Sequence, residues 1–416
     1  MSDLNIDNTI RAILVGAGED RYIEELGHLA DTLGLVVVDT LEQNRRDGAG
    51  YLGKGKREEL ADMVGAQDVE MVVTDDELTA SQARVLERSC GASVVDRTEL
   101  IIQIFEAHAK DAASRLEVEL ADLEYRLPRV KGRNPALSRL GGGVGGGRVT
   151  RGPGEQQLEY DRRAIRRRIE SINRKLQEEK NAREVRGARL YKGDTPTVAL
   201  VGYTNAGKTT ILNSISGAQR STADRLFETL ETTTRLVTAR AADSSSKAQP
   251  DFVVTDTVGF IRKLPTQLVH SFAGTLQSAN NADIVVLCAD ASSKVLSEEI
   301  STVNEILSSL ERTILCLNKA DLLTSTELAE LTRDYPSAVI ISADNSTGEL
   351  LDSIHEAISL NSRRVQILIP HIKYGLASRL YSSAEIHSSK DTEKGLWLDV
   401  SLPRSSGDQY DKYRTN

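Results

Sequence analysis

Cysteine is scarce, with only Cys90, Cys288 and Cys316 in 416 residues. Each lies in a predominantly apolar run and none forms a C-x-x-C pair, which argues against a disulfide framework and predicts buried free thiols in a reducing compartment. Long apolar runs are missing as well. No stretch approaches the 18 residues or so that a membrane span needs, and Met1-Ser2-Asp3-Leu4-Asn5-Ile6-Asp7 has neither a basic n-region nor an apolar h-region. The expectation is a cytoplasmic protein with no membrane insertion. Positive charge is in deficit, 52 Lys+Arg against 61 Asp+Glu for a net −9, which taken whole speaks against nucleic acid. Its distribution reverses that reading: between Arg126 and Lys192 stand 19 Lys+Arg against 7 Asp+Glu. So uneven a charge marks one polyanion-binding segment on an otherwise acidic chain, the alternative being a solvated basic helix beside an acidic neighbour.

The length suits two to four domains. Residues 1–110 alternate strand-like and helix-like stretches: Ala12 to Val15, Arg21 to Leu33, Leu35 to Val38, Lys56 to Val64, Val69 to Val73, Thr79 to Cys90, then Ser93 to Val95. That rhythm predicts an N-terminal α/β domain with a mainly parallel sheet. Gly16-Ala17-Gly18 lacks the third glycine of a dinucleotide fingerprint, since Arg21 stands in its place, and reads as a βα turn. From Phe105 the period changes. Phe105, Ala109, Ala112, Leu116, Leu120, Leu123 and Leu127 recur every three or four residues, as do Ile165, Ile169, Ile172 and Leu176. Two helices over about 98–127 and 158–187 are predicted to pair as a long antiparallel hairpin, and the hairpin domain is set at 111–192. Its tip runs from Gly132 through the Gly141–Gly147 tract to Arg151-Gly152-Pro153-Gly154, a mobile, basic, glycine-rich stretch suited to close approach to RNA. Residues 195–360 read as an α/β nucleotide-binding domain. Residues 363–416 read as a small α+β appendix, with a polar, disordered last dozen residues.

The chemistry is concentrated in four places. Gly202-Tyr203-Thr204-Asn205-Ala206-Gly207-Lys208-Thr209 follows the apolar run Val198 to Val201 and precedes a helix-compatible stretch beginning Thr210-Ile211-Leu212. This is the strand, G-x-x-x-x-G-K-[ST] and helix order of a phosphate loop: backbone N–H groups of the loop, Ala206 and Thr210 included, face the phosphates, Lys208 reaches the β and γ oxygens, and Thr209 is a Mg²⁺ ligand. Asn318-Lys319-Ala320-Asp321 closes the apolar run Thr313 to Leu317. A carboxylate at Asp321 can accept from guanine N1–H and the exocyclic amine, donors that adenine does not pair in this way, so the base is guanine and the ligand GTP or GDP. Lys319 is expected over the base plane, and Ser342-Ala343, behind Ala338 to Ile341, fits the last guanine-contacting loop. Between these lies Asp256-Thr257-Val258-Gly259. Asp256 is placed to hold Mg²⁺ through water. The Gly259 N–H is placed to meet the γ-phosphate, so loss of that phosphate releases the segment downstream of Gly259. Upstream, Glu228 to Thr234 supplies a threonine to complete the Mg²⁺ shell, Thr233 with Thr232 and Thr234 as register alternatives.

Phe260 stands where many GTPases carry a glutamine that orients the attacking water. Phenylalanine cannot hydrogen-bond water, so hydrolysis is slow or another group does that work. Asn205 is one candidate, because an asparagine at this place helps hold K⁺ beside the phosphates in potassium-stimulated GTPases; the alternative is that it merely suits a turn. Arg225 and Arg235 are competing sources of positive charge.

Together these residues resemble the HflX family of ribosome-associated GTPases, of the Obg-HflX-like superfamily. The resemblance rests on Tyr51-Leu52-Gly53-Lys54-Gly55-Lys56 with Glu58-Glu59-Leu60, on Arg151-Gly152-Pro153-Gly154-Glu155 with Gln157-Leu158-Glu159 and Asp161-Arg162-Arg163, on Gly202 to Thr209, and on Asp256-Thr257-Val258-Gly259-Phe260-Ile261-Arg262. It implies a GTPase, monomeric when free, that docks on the large ribosomal subunit (rRNA and ribosomal proteins) through its N-terminal and hairpin regions. Such a factor splits, rescues or recycles ribosomes under stress. Assistance in large-subunit assembly, or signalling through a protein partner, are the alternatives. Three departures stand out: Glu231-Thr232-Thr233 for the usual Asp-Pro-Thr, Gln156 for the usual Thr, and an extended glycine tract with Gly145-Gly146-Gly147-Arg148-Val149 before Thr150.

Overall fold

A computed structural model describes residues 10–109, 111–130, 153–190, 195–217, 233–238, 250–263, 265, 268, 279–306, 313–403 and 410–415. The Gly/Arg-rich run 131–152, the first-switch stretch 218–232 with Arg225, and the polar turn at 242–249 lie outside them. The described residues fall in two units, the first formed by the chain up to Glu179 together with Lys263, Pro265 and Leu268, the second by the rest.

The first unit is built on four parallel strands, β1 (Arg11–Ala17), β2 (Val36–Gln43), β3 (Met71–Thr74) and β4 (Ser93–Asp96), in the order β2-β1-β3-β4. β1, β3 and β4 carry Val/Ile/Leu-rich stretches because a parallel sheet between helices is buried on both faces, whereas the edge strand β2 includes Asp39, Thr40 and Glu42 and buries only Leu41. The connecting helices are α1 (Ile23–Thr32), α2 (Lys54–Gln67) and α3 (Ala80–Cys90), the last begun by a Thr79–Gln82 capping box. Polar residues gather at the carboxyl ends of β3 and β4. Arg97, 1% exposed, donates to Asp75 at 2.8 Å and to Glu25 at 2.5 Å, and Lys263 Nζ reaches Asp75 and Asp76 at 2.8 Å each. A buried guanidinium and carboxylate are tolerable because each satisfies the other.

The apolar period from Phe105 is not one helix. It is α4 (Arg97–His108) and α5 (Ala112–Arg129), separated because Ala109 turns extended and the Asp111 carboxylate accepts from Ser114 N, starting a new helix. The second predicted helix is longer than expected, α6 (Pro153–Leu190), so Pro153 and Gly154 belong to it and not to a loop. Proline at a first helical position costs nothing, since that N–H has no intrahelical partner. Arg168 of α6 forks onto Glu119 of α5 at 2.6 and 2.7 Å, and Ile172 is fully buried.

The second unit holds a six-stranded sheet. Its strands are β5 (Thr197–Gly202), β6 (Thr233–Val237), β7 (Phe252–Asp256), β8 (Ile284–Asp290), β9 (Thr313–Asn318) and β10 (Val339–Ile340), in the order β10-β9-β8-β5-β7-β6, parallel except for β6 against β7. Helices α7 (Lys208–Ser216), α8 (Leu296–Ile306), α9 (Ser325–Asp334) and α10 (Gly348–Leu360) connect them. One apolar cluster, including Leu212, Val254, Val286 and Ile354, packs one face; another, including Val201, Tyr203, Phe260 and Leu287, packs the other. Cys288 and Cys316 are register partners on β8 and β9, and all three cysteines are free and buried. A hydrogen bond with Cys288 and then burial push the Cys316 thiol well above its usual range.

An antiparallel sheet completes the unit, β11 (Ser362–Ile369), β12 (Glu385–Thr392) and β13 (Gly395–Pro403), with β13 central and α11 (Tyr374–Ser383) packed against it. The end of the chain departs from expectation. Tyr410 is fully buried in this core, Arg414 bridges to Ile367, and Thr415 N donates to Gln366 O. One buried aromatic anchors a segment whose composition reads as disordered.

Candidate functional site

Four connections at the carboxyl ends of the second unit's parallel strands converge, where open α/β sheets place ligands. The loop after β5 is held close to its neighbours by glycine. A Cβ at Gly202 would lie 2.0 Å from Cys288 O, and one at Gly207, where φ is +83°, 2.2 Å from Asn318 Nδ2. Only glycine permits either approach. Asn205 takes a left-handed φ of +62° and is exposed, a conformation asparagine tolerates better than most residues. Ala206 is buried, and Thr210 lies in the first turn of α7.

Lys208 is 7% exposed, and its ammonium donates to Gly202 O at 3.2 Å and Tyr203 O at 2.7 Å. Burial lowers its pKa, opposed by the charge of Asp256. A buried cation that meets carbonyl oxygens suits an anionic ligand.

The segment after β7 is zipped onto this loop. Phe260 N donates to Gly202 O at 3.0 Å and Thr204 N to Phe260 O at 2.8 Å, while Thr257 Oγ1 donates to Leu200 O at 2.7 Å. Gly259 therefore lies against Lys208, where a Cβ would stand 2.9 Å from Nζ. The Phe260 ring, 1% exposed, points into the core, so this side chain is a packing element and not a group facing the phosphates.

Thr209 Oγ1 donates to Asp256 Oδ2 at 2.7 Å, and Asp256 is fully buried. Thr233 opens β6 directly opposite Asp256, so the two side chains share a face of the sheet. Thr234 points the other way, its hydroxyl 3.2 Å from that of Thr255; Thr232 lies outside the described residues. One buried carboxylate with two hydroxyls is an all-oxygen set of the kind Mg²⁺ accepts alongside water and phosphate.

At the other end Asn318, 2% exposed, is a tie. Its Nδ2 donates to Ala206 O at 3.1 Å and its Oδ1 accepts from Ala343 N at 2.9 Å, joining the phosphate loop to the 342–343 loop. Ser342 Oγ donates to Asp321 Oδ1 at 2.6 Å and so orients that carboxylate. Lys319, with φ +65°, pairs with Asp290 at 2.8 Å. Asp290 is not legible as a site residue from its own neighbours in the chain, although it ends the apolar strand β8 in register with Asn318, which is the signal that could have found it. Arg235 is also placed differently from expectation: it donates to Asn213 and Ser216 well along α7, and not toward the phosphate loop.

Comparison with known proteins agrees with this geometry. Residues 20–106 match the family described as GTP-binding GTPase N-terminal, 108–189 the GTP-binding GTPase Middle Region, and 197–319 the 50S ribosome-binding GTPase. The GTPase HflX of Caldanaerobacter subterraneus subsp. tengcongensis is 39% identical over 393 residues, covering 92% of this chain and 88% of its own. The chain belongs to the HflX family of GTPases. The HflX of Alkalihalophilus pseudofirmus is 40% identical over 83% of this chain and 81% of its own. Among solved structures, the complex of SsGBP with GDP aligns over 89% of this chain and 99% of that one, with TM-score 0.48 and 21% identity. As a member of this family the chain is a GTP phosphohydrolase.

Proposed function

We propose that this GTPase is a cytoplasmic, GTP-controlled factor of the large ribosomal subunit, monomeric when free, which splits, rescues or recycles ribosomes. The observation that carries the reading is the convergence of the loop after β5, the Asp256–Gly259 segment and the Asn318–Asp321 loop at one end of the sheet, in a chain whose family description names the 50S ribosome. The basic stretch from Arg126 to Lys192 supports it. Among the described residues no helix is long and apolar enough to cross a membrane.

In this reading the loop from Gly202 to Thr210 binds the phosphates, with Asn205, Ala206 and Gly207 giving backbone N–H groups and Lys208 turning from its two carbonyls to the β and γ oxygens. Asn318, Lys319, Asp321, Ser342 and Ala343 bind the base. Thr209 and Thr233 hold Mg²⁺, with Asp256 behind water; when bound it neutralises charge on the β and γ oxygens. The Gly259 N–H senses the γ-phosphate beside Lys208.

The hairpin, with its tip at 131–152, binds rRNA phosphates. Deleting Arg139 to Arg151 removes Arg139, Arg148 and Arg151. Each phosphate contact contributes about 0.7–0.9 to the slope of log affinity against log salt. Co-sedimentation with 50S subunits should weaken and its salt slope flatten by up to about 2–3, with GTP affinity of the isolated protein kept. Equal ribosome binding by the deletion variant would assign the tip to a linker. Pelleting with immature particles in preference to mature ones would favour a role in assembly.

Asn205 shares a K⁺ ion with the phosphate oxygens. GTP turnover should be faster in K⁺ than in Na⁺ at matched ionic strength, and Asn205→Ala should lose the difference while keeping most nucleotide affinity. Identical rates in the two salts would reject the cation.

A further inference from the structure

Arg235 would be read from sequence as a spare cation near the first switch, yet its contacts say otherwise. Its Nη1 donates to Asn213 Oδ1 at 2.9 Å and to Ser216 Oγ at 3.0 Å, and Ser216 Oγ in turn donates to Leu212 O at 2.6 Å. Asn213 and Ser216 lie four and seven residues beyond Thr209, on the same face of α7. At 1.5 Å of rise per residue the guanidinium is therefore held about 7–12 Å along the axis from Lys208 at the helix N-terminus, where phosphate binds. An arginine anchored there does not reach a γ-phosphate.

What it does reach is the register of β6 against α7. Thr233 and Arg235 are two residues apart on one strand, so both side chains point to the same face, while Thr234 and Leu236 point away and are exposed. Thr209 and Asn213 are likewise one turn apart on one face of α7. The two elements thus meet as two rungs. The first is Thr209 with Asp256, and Thr233 directly opposite Asp256. The second is Arg235 with Asn213 and Ser216. Because strand residues two apart advance about 6.6–6.8 Å and helix residues four apart about 6 Å, fixing the second rung fixes the spacing of the first. A slip of β6 by one residue would put Thr234 in place of Thr233 and turn the Thr233 side chain away.

We propose that Arg235 is a positioning residue for the nucleotide-bound metal: by clamping β6 to α7 it presents the Thr233 hydroxyl beside Asp256, and through it the Mg²⁺-dependent preference for triphosphate. The inference rests on the reading of Thr209, Asp256 and Thr233 as the Mg²⁺ group. It makes Arg235 a part of the switch and not a source of transition-state charge.

The test measures equilibrium binding of a fluorescent non-hydrolysable GTP analogue across a Mg²⁺ titration, and of GDP in excess chelator. Wild type, Thr233→Ala, Arg235→Ala and the double variant are compared. Arg235→Lys, which keeps the charge on a shorter side chain without the planar fork, is a second single variant should Arg235→Ala fold poorly. Arg235→Ala is expected to raise the Mg²⁺ concentration needed for analogue binding about tenfold, the scale of a lost charge-assisted hydrogen bond, and to leave Mg²⁺-free GDP affinity unchanged. Arg235→Lys should fall between it and wild type. The double variant should be no worse than Thr233→Ala, because the arginine acts through that hydroxyl. If Thr233→Ala shifts the Mg²⁺ dependence and neither Arg235 variant does, or if the two effects add, the positioning role is wrong while the metal assignment stands. If Thr233→Ala itself shifts nothing, the metal assignment fails and the inference with it. A large loss of turnover in Arg235→Ala at unchanged Mg²⁺ dependence would overturn the proposal in favour of a catalytic arginine.

Discussion

Asp321→Asn should lose GTP and GDP affinity by on the order of 10²-fold or more and gain affinity for xanthine nucleotides. The carboxylate is a pure acceptor, and Ser342 Oγ holds one of its oxygens at 2.6 Å, leaving its acceptor capacity aimed outward for paired N–H donors. Asparagine keeps the shape but turns one acceptor into an N–H₂ donor, which then faces a guanine N–H. Such a mismatch costs more than the lost bond, because two donors are left opposed in a desolvated site. Xanthine carries an oxo group in place of the amine, so the same substitution creates a match. Affinities for GDP and XDP in wild type and variant check this directly. Unchanged GDP affinity in Asp321→Asn would reject the guanine-reading assignment.

The nucleotide site is largely legible in the sequence because its demands are local. A glycine is needed where a neighbouring strand lies 2.0 Å from any Cβ, and a lysine and threonine are needed one and two residues past the loop. Such requirements survive as fixed letters at fixed spacing. The strand and helix rhythm of the N-terminal sheet is legible for the same reason. Features that depend on pairing between distant segments, or on a single side chain, are not. The apolar stripe continues smoothly across Ala109 to Asp111, so periodicity reads one helix, and only the Asp111 side chain bond to Ser114 N reveals two. The buried Tyr410 is invisible in a polar tail because burial of a single residue leaves no periodic trace. Ser342-Ala343 carries almost no information as a dipeptide, and acquires meaning from its bonds to Asp321 and Asn318. Phe260 occupies a glutamine position, and the sequence has no way to say that its ring faces the core.

The second large effect is expected from Lys208→Ala. Its ammonium is buried against two carbonyl oxygens, and burial disfavours its charge, so the side chain is costly to the empty site and useful only when phosphate arrives. Removing it should leave circular dichroism and the unfolding temperature close to wild type, or slightly raised. Triphosphate affinity should fall by on the order of 10²-fold or more, as charge-assisted bonds to the β and γ oxygens are lost. If ribosome association depends on the bound nucleotide, it should fall as well.

Sedimentation of the full chain with purified large ribosomal subunits, in a non-hydrolysable GTP analogue and in GDP, with Lys208→Ala run beside wild type, joins the two halves of the proposal. Wild type should pellet with the subunits in the analogue and stay in the supernatant in GDP, and folded Lys208→Ala should stay in the supernatant in both. Equal pelleting of wild type in the two nucleotides, or pelleting of Lys208→Ala at the wild-type level, would contradict control of ribosome binding by GTP.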